Sequence, residues 1–596
     1  MTQELVAVAM GRRPADLVIR DGRWVNLCSG EIIEHTDIAV LGSRIAYCGP
    51  GASGMIGPKT EVIEAEGRYL LPGLLDAHLH IESSLLTVTE FARAVLPHGT
   101  TGAFIDPHEI ANVLGLAGVR LMLEEAARTP LQIYVQVPSC VPAAPGLETP
   151  GAELGPEEVE EALAWPDDRV IGLGEVMNYP GLVAGDAGLH RKVAAALRLG
   201  KAVGGHYASP DLGRMFHAYA AGGPEDCHEG TRPEDVIARV RQGLFAILRQ
   251  GSAWQDLIPQ LRAVTEMGLE PRHLLLCTDD RHAGTILAQG HMDEVVRLAI
   301  SRGVSPISAL QMATLNTAER FGVAKDVGLL APGRYADILL VRDLAELEVE
   351  LVLAAGEVVA ERGRLVVELP AYPYPEEAKA TVRLKRPLAP SDFTVPAPAS
   401  SGAGRVAARV RVIEVSENQA QTRGLILELP VKDGAVQPDP KRDVALLAVA
   451  ERHHASGRIG LGFVKGFGLR AGCALASTVA HDSHNLLIMG TSPEAMALAG
   501  NRLAALGGGL CLVRDGAILA EVPLPTAGLM ADRPAEAVAA ELEELERGLQ
   551  SCGCKLRGAF MTFSLLALGV IPELRLSDLG LIDVASFALV PLFPEE

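Results

Sequence analysis

Apolar and polar positions alternate over residues 15–65 around turn signals, as in Ala15-Asp16-Leu17-Val18-Ile19-Arg20-Asp21-Gly22 and Asp37-Ile38-Ala39-Val40-Leu41-Gly42. That pattern predicts short antiparallel strands without a helix. It returns far downstream at Gly333-Arg334-Tyr335-Ala336-Asp337-Ile338-Leu339-Leu340-Val341 and again over 350–359. Two β-rich pieces, 1–65 and 325–369, separated by a middle of different texture, predict one small β-sandwich completed from both flanks.

The middle, 66–324, alternates strand and helix. Apolar runs stand at 71–80, 102–106, 133–137, 170–176, 202–206, 244–248 and 274–278, with a weaker one near 220–228. Helical spacing, apolar residues three and four apart, occupies stretches between them such as 109–128, 189–199 and 257–267. Eight strand-then-helix units over about 250 residues predict an α/β fold of the TIM-type (β/α)8 barrel kind. Residues 370–404 are rich in Pro, Ala and Ser and read as a linker. Beyond it, strand-like runs at 406–415, 425–429 and 444–450 and helical stretches at 494–506 and 535–549 predict a separate C-terminal α/β domain over 405–596.

In a barrel the chemistry gathers where strands end, so the polar residues there deserve inspection. The first run ends Asp76-Ala77-His78-Leu79-His80-Ile81-Glu82-Ser83-Ser84. Residues i and i+2 of a strand share a face, so His78 and His80 can present two imidazoles to one metal ion. Later runs end in Asp106-Pro107-His108-Glu109, Gly174-Glu175-Val176-Met177-Asn178, Gly204-Gly205-His206, Cys227-His228-Glu229 and Thr278-Asp279-Asp280. Each residue alone is most simply structural. Together His78, His80, Glu175, His206, His228 and Asp279 supply enough nitrogen and oxygen donors for two divalent ions, with Glu175 between them.

Composition narrows the partners. A formal net charge of −21 argues against a nucleic-acid backbone and favours a small neutral or cationic ligand, although solubility explains it more simply. The nine cysteines are scattered, with Cys552 and Cys554 the closest pair, which is neither a disulfide framework nor a zinc knuckle. No cationic segment followed by a long apolar run opens the chain, and no apolar stretch reaches the ~18 residues of a membrane span. A cytoplasmic protein, free of membrane and nucleic-acid partners and forming a homo-oligomer, is the expectation.

The barrel pattern with His78-x-His80, His206, His228 and Asp279 resembles the amidohydrolase superfamily. More narrowly, His80-Ile81-Glu82-Ser83-Ser84, Asp106-Pro107-His108-Glu109-Ile110-Ala111-Asn112-Val113 and Gly174-Glu175-Val176-Met177-Asn178 resemble the bacterial adenine deaminase family, as does Ala480-His481-Asp482-Ser483-His484-Asn485. The resemblance implies hydrolysis of adenine to hypoxanthine and ammonia in purine salvage. Adenine and water are the implied substrates, and two divalent cations, Mn2+ or Fe2+ ahead of Zn2+, the implied cofactor. Such cations bring a water pKa from about 16 toward about 7. Asp279 would take a proton from that water and return it to the departing nitrogen. Glu229 would protonate a ring nitrogen or, equally, orient a ligand imidazole. Glu82, Ser83, Asp106 and His108 are candidate contacts to the base, though Asp106 also suits a helix cap and Ser83 and Ser84 a helix N-terminus. Asp280 and Arg281 are expected to form a solvated pair. His481 and His484 suggest a lid or an accessory metal site, with an ordinary loop as the plainer alternative.

Two related chemistries fit less well. Many amidohydrolases bridge their metals with a carboxylated lysine where this chain has Glu175. The unrelated zinc deaminases require H-x-E followed by P-C-x-x-C, and no cysteine here follows a proline. A deaminase or cyclic amidase for another small N-heterocycle remains the alternative enzyme. A catalytically silent binding protein would be expected to have lost at least one ligand, and none of the six is missing.

Overall fold

The computed structural model describes residues 1–398, 406–417 and 419–594. A short helix, Thr2–Ala9, precedes five strands: Leu17–Asn26, Glu31–Leu41, Arg44–Gly49, Glu61–Glu64 and Tyr69–Pro72. These join Ile338–Val341, Val349–Ala354, Glu357–Glu361 and Arg364–Leu365 in one nine-stranded sheet. The two flanks meet where Tyr69–Pro72 runs antiparallel to Ile338–Val341, with Leu71 opposite Leu339. Leu17, Ile19, Ile38, Val40, Leu70, Ile338 and Leu340 bury one shared core. The N-terminal piece is not wholly antiparallel, however. Glu61–Glu64 and Tyr69–Pro72 both pair parallel to Leu17–Asn26. Alternation encodes a half-buried face and carries no information on a neighbour's direction.

The run expected as a single strand over 71–80 is divided. Tyr69–Pro72 belongs to the flanking sheet and Leu74–Leu79 opens the barrel. A Cβ at Gly73, between them, would lie 1.9 Å from Thr101 Oγ1, so the crossing needs a residue without a side chain.

Eight barrel strands follow: Leu74–Leu79, Thr100–Ile105, Gln132–Val137, Val170–Val176, Ala202–Gly205, Asp226–Cys227, Phe245–Arg249 and Leu274–Cys277. The first five form one parallel ladder and the last three another. Asp279 N–H to the His78 carbonyl (3.0 Å) and Glu225 N–H to the Val203 carbonyl (3.0 Å) join the two ladders at their seams. Val170–Val176 is buried along its whole length, as a strand with barrel core on one side and helices on the other must be. Leu75, Ala77, Phe104, Tyr134, Ile247 and Leu275 fill the interior. Phe104 stacks on Tyr134 and Phe321 at centroid distances of 4.8 and 4.3 Å. The strands' C-terminal ends form the functional mouth.

Two element predictions shift. The helix expected over 109–128 divides into His108–Leu114 and Leu116–Ala126, because Gly115 adopts φ +62°. The weak run near 220–228 contributes only Asp226–Cys227 as strand, its beginning completing the helix Arg214–Ala221.

Tyr372, Tyr374 and Phe393, in the stretch that composition marks as a linker, are buried, and its end, 399–404, lies outside the described residues. A ten-stranded sheet then carries the helices Pro493–Leu506 and Ala535–Ser551, and three short strands end the chain. Ala535–Ser551 packs on the barrel helix Ala283–Gln289. Among the described residues no helix is long and apolar enough to cross a membrane.

Candidate active site

The imidazole pair owes its aim to an irregularity. Along Leu74–Leu79, Asp76 pairs with Ala103 but Leu79 with Ile105, three residues against two. This bulge changes the parity of the strand. Leu75 and Ala77 fill the barrel interior, yet His78 and His80 also converge on the mouth. A second irregularity sets Leu173 to Val176 against Val203 to Gly205, and Glu175 lies within it.

Glu175 stands between two groups of rings. Its Oε2 accepts from His206 Nδ1 at 2.5 Å and lies 3.2 Å from His228 Nε2. Its Oε1 is 3.5 Å from His80 Nε2 and 3.4 Å from His108 Nδ1. Asp279 Oδ1 is 3.7 Å from His78 Nε2 and 3.6 Å from His80 Nε2. The trios His78–His80–Glu175, His78–His228–Asp279 and Glu175–His206–His228 each bring their donor atoms within 4.8 Å of one another.

The local chemistry suits divalent metal ions. His78 Nε2 is buried with no hydrogen-bond partner. His80 Nδ1–H donates to the Asp106 carbonyl at 2.8 Å, which leaves the Nε2 lone pair facing inward. Burial, reinforced by His228, keeps His78 neutral, its pKa well below the usual value. Burial opposes charge on Asp279, but His228, Arg249 and His78 outweigh it and hold the carboxylate ionised. Burial likewise depresses His206, and Glu229 and Glu175 overcome it, lifting the ring to about 9. The mouth thus carries an excess of negative charge that draws cations.

The remaining residues form two layers. His108, Glu109, Glu229 and Asp280 line the cavity beside the candidate metal ligands. Glu82, Ser83 and Asp106 stand behind them. Glu82 Oε1 accepts the Ile110 N–H at 3.1 Å. Ser83 Oγ lies 2.8 Å from Glu109 Oε1 and 2.5 Å from Asp280 Oδ1. Asp106 Oδ2 accepts the Glu175 N–H at 2.8 Å and makes no cap to the helix His108–Leu114. Ser84 belongs to a single turn, Ile81–Ser84, ahead of the helix Val88–Val95. Asp280 and Arg281 are not a solvated pair, since Arg281 is buried and donates to Glu294 at 2.8 Å.

Sequence reasoning missed Arg249, whose guanidinium donates to Glu229 Oε1 (2.5 Å), Asp279 Oδ2 (3.0 Å) and Asp256 Oδ2 (2.8 Å). Its signal was present, for Arg249 ends a barrel strand, one residue past the apolar run. Also missed were Trp254 and the C-terminal Leu565, Leu568 and Ile571, which wall the cavity. Ordinary apolar residues carry no mark of such a duty. His481 lines the same cavity, Asp482 Oδ1 lies 3.7 Å from His108 Nε2, and His484 Nε2 lies 3.6 Å from Glu109 Oε2.

The amidohydrolase family pattern matches residues 69–359, and the adenine deaminase C-terminal domain pattern matches residues 419–588. An adenine deaminase of Mesorhizobium japonicum is 57% identical over 593 residues, covering 100% of this chain and 97% of the relative. One of Rubrobacter xylanophilus is 56% identical over 599 residues, covering 100% and 98%. Among solved structures, N-isopropylammelide isopropylaminohydrolase from Burkholderia multivorans aligns at TM-score 0.43 and 21% identity, over 59% of this chain and 99% of that one. With both patterns matched and high identity along the full length, the chain belongs to the adenine deaminase family of amidohydrolases.

Proposed function

We propose that this chain hydrolyses adenine to hypoxanthine and ammonia. Water adds its oxygen to the ring carbon, the carbon–nitrogen bond to the exocyclic amino group breaks, and the amino group leaves as ammonia with one of water's protons while the other stays on a ring nitrogen of hypoxanthine. His78, His80, Glu175, His206, His228 and Asp279 would hold two divalent ions, Mn2+ or Fe2+ before Zn2+, with Glu175 shared between them. Bound there, such ions lower the pKa of water from about 16 toward about 7.

The chain's own groups move the protons. Asp279, held ionised by its neighbours, accepts a proton from the attacking water and passes it to the departing nitrogen. Glu229 is the second carrier: Arg249 holds it as a carboxylate, so it can take up water's other proton and deliver it to a ring nitrogen. His108 contacts the base, while Glu82, Ser83 and Asp106 fix the groups that do so. The nine unpaired cysteines support a cytoplasmic setting, and the −21 charge supports a small-molecule substrate over nucleic acid. A homo-oligomer is the assembly expected, which sedimentation tests.

The observation that carries this reading is a complete six-residue donor set at one barrel mouth, in a chain 57% identical along its length to an adenine deaminase. Ammonia release from adenine, guanine, cytosine and adenosine, by enzyme stripped with chelator and reloaded with Mn2+, tests it. Release from adenine alone, only in the reloaded sample, is the expected result. Stripped enzyme at full speed, or a preference for another heterocycle, would overturn it. The substitution Asp279→Asn is expected to lower kcat/KM by about 10³-fold while the protein stays folded.

A further inference from the structure

The strands Cys473–Ser477 and Leu486–Gly490 of the C-terminal sheet are joined by a segment that reaches the barrel mouth. There Glu109 Oε2 and His484 Nε2 face each other at 3.6 Å, both buried and neither with a hydrogen-bond partner. With His481 the three donor atoms lie within 4.8 Å, which suggests a third cation. The other nitrogen of His484 argues against it. Nδ1 accepts the Ala480 N–H at 3.2 Å, and a neutral imidazole whose Nδ1 accepts carries its proton on Nε2. Burial, reinforced by His481 and Arg452, keeps the ring neutral, its pKa well below the usual value. What faces Glu109 is therefore an N–H and not a lone pair.

We infer that His484 is a positioning residue that the C-terminal domain inserts into the barrel's active site. Its Nε2–H faces Glu109 Oε2 across 3.6 Å, an electrostatic contact longer than a hydrogen bond, while Ser83 Oγ stands 2.8 Å from Oε1 and 2.5 Å from Asp280 Oδ1, and together they orient the carboxylate as an acceptor for an N–H of the bound base. The segment is built to hold this pose. Buried Arg452 donates to the His484 carbonyl, to Thr381 Oγ1 (3.0 Å) and to the Ala527 carbonyl (3.0 Å). His453 Nε2 donates to the Ser483 carbonyl at 2.7 Å. Asn485 Nδ2 donates to the carbonyl of Thr149 in the barrel at 2.8 Å. The C-terminal domain thereby sets the geometry of a group that lines the cavity.

The inference rests on adenine binding at this mouth, and two substitutions in the full-length, metal-loaded enzyme separate it from a purely structural role. His484 has φ +51°, a conformation asparagine tolerates. H484N puts an acceptor near Nδ1 and keeps the Ala480 bond, but it cannot reach Glu109. H484Q puts an N–H near Nε2. The expected outcome is a KM for adenine raised about 10-fold in H484N with a smaller change in kcat, and within about 3-fold of wild type in H484Q. E109Q should raise KM as well, and adding H484N to it should raise KM no further. An unchanged KM in H484N overturns the inference. So does H484Q failing as badly as H484N, whether or not H484N keeps its Tm. Three metal equivalents per chain, falling to two in H484N, would overturn it in favour of a cation site. Ammonia release by the wild type reports separately on the adenine reading.

Discussion

Asp279 and Arg249 carry the heaviest electrostatic load at the scale of single residues. Asp279 occupies φ +56°, a conformation costly for most side chains and tolerated by aspartate. Its Oδ1 faces His78 and His80, and its Oδ2 accepts from Arg249. Removing the guanidinium takes from Glu229, Asp279 and Asp256 the one cation they share and leaves three carboxylates close together. Arg249→Met is therefore expected to cost about 3 kcal/mol of stability, seen as a lower Tm, and at least about 10²-fold in kcat/KM. A variant with wild-type Tm and turnover would show that the triple pairing is incidental.

Among the elements, the bulges decide where the candidate ligands point. Period-two alternation correctly relates His78 to His80, but it also predicts that Ala77 and His78 face opposite ways. The extra residue between Asp76 and Leu79 cancels that opposition, and nothing in the one-dimensional pattern marks it. Glycine performs a related task beside His206. A Cβ at Gly205 would stand 1.9 Å from the Asp226 carbonyl oxygen, so the fifth and sixth strands approach closely only because that atom is missing. Gly205→Ala is expected to push these strands apart, cost about 1–3 kcal/mol and displace His206. Metal analysis should then find fewer than two ions per chain, and full occupancy would refute the strand-separation argument.

Across the whole molecule, the active site belongs to two domains. Leu565, Leu568 and Ile571 wall a cavity whose charged floor is the barrel's, and Thr149 Oγ1 donates across the boundary to Asp578 Oδ2 at 2.7 Å. Glu148, beside Thr149, records the burial of that boundary. Its Oε1 accepts the Ala144 N–H at 2.7 Å, its other oxygen has no partner, and burial pushes its pKa from 4.5 to about 8. A folded-state pKa above the unfolded one means the folded protein retains a proton that the unfolded chain gives up. Stability should accordingly fall as pH rises from about 4.5 to about 8. Glu148→Gln is neutral throughout, so the Tm difference between pH 5 and pH 8 should narrow in the variant. Equal differences in both proteins would remove Glu148 as the cause.

The barrel, the two-flank sheet, the C-terminal α/β domain and the six candidate ligands were legible in the sequence, because each follows from local periodicity or from a donor at the end of an apolar run. Arg249 came close to being legible, lying one residue beyond such a run. The division of Glu175's two oxygens, the layering of Glu82, Ser83 and Asp106 behind the cavity, and the meeting of Glu109 with His484 were decided only by the tertiary structure. These depend on bulges and on contacts between residues hundreds of positions apart, such as Glu109 and His484. Periodicity reports which face of an element is buried; which atoms then meet is set by how the buried faces pack.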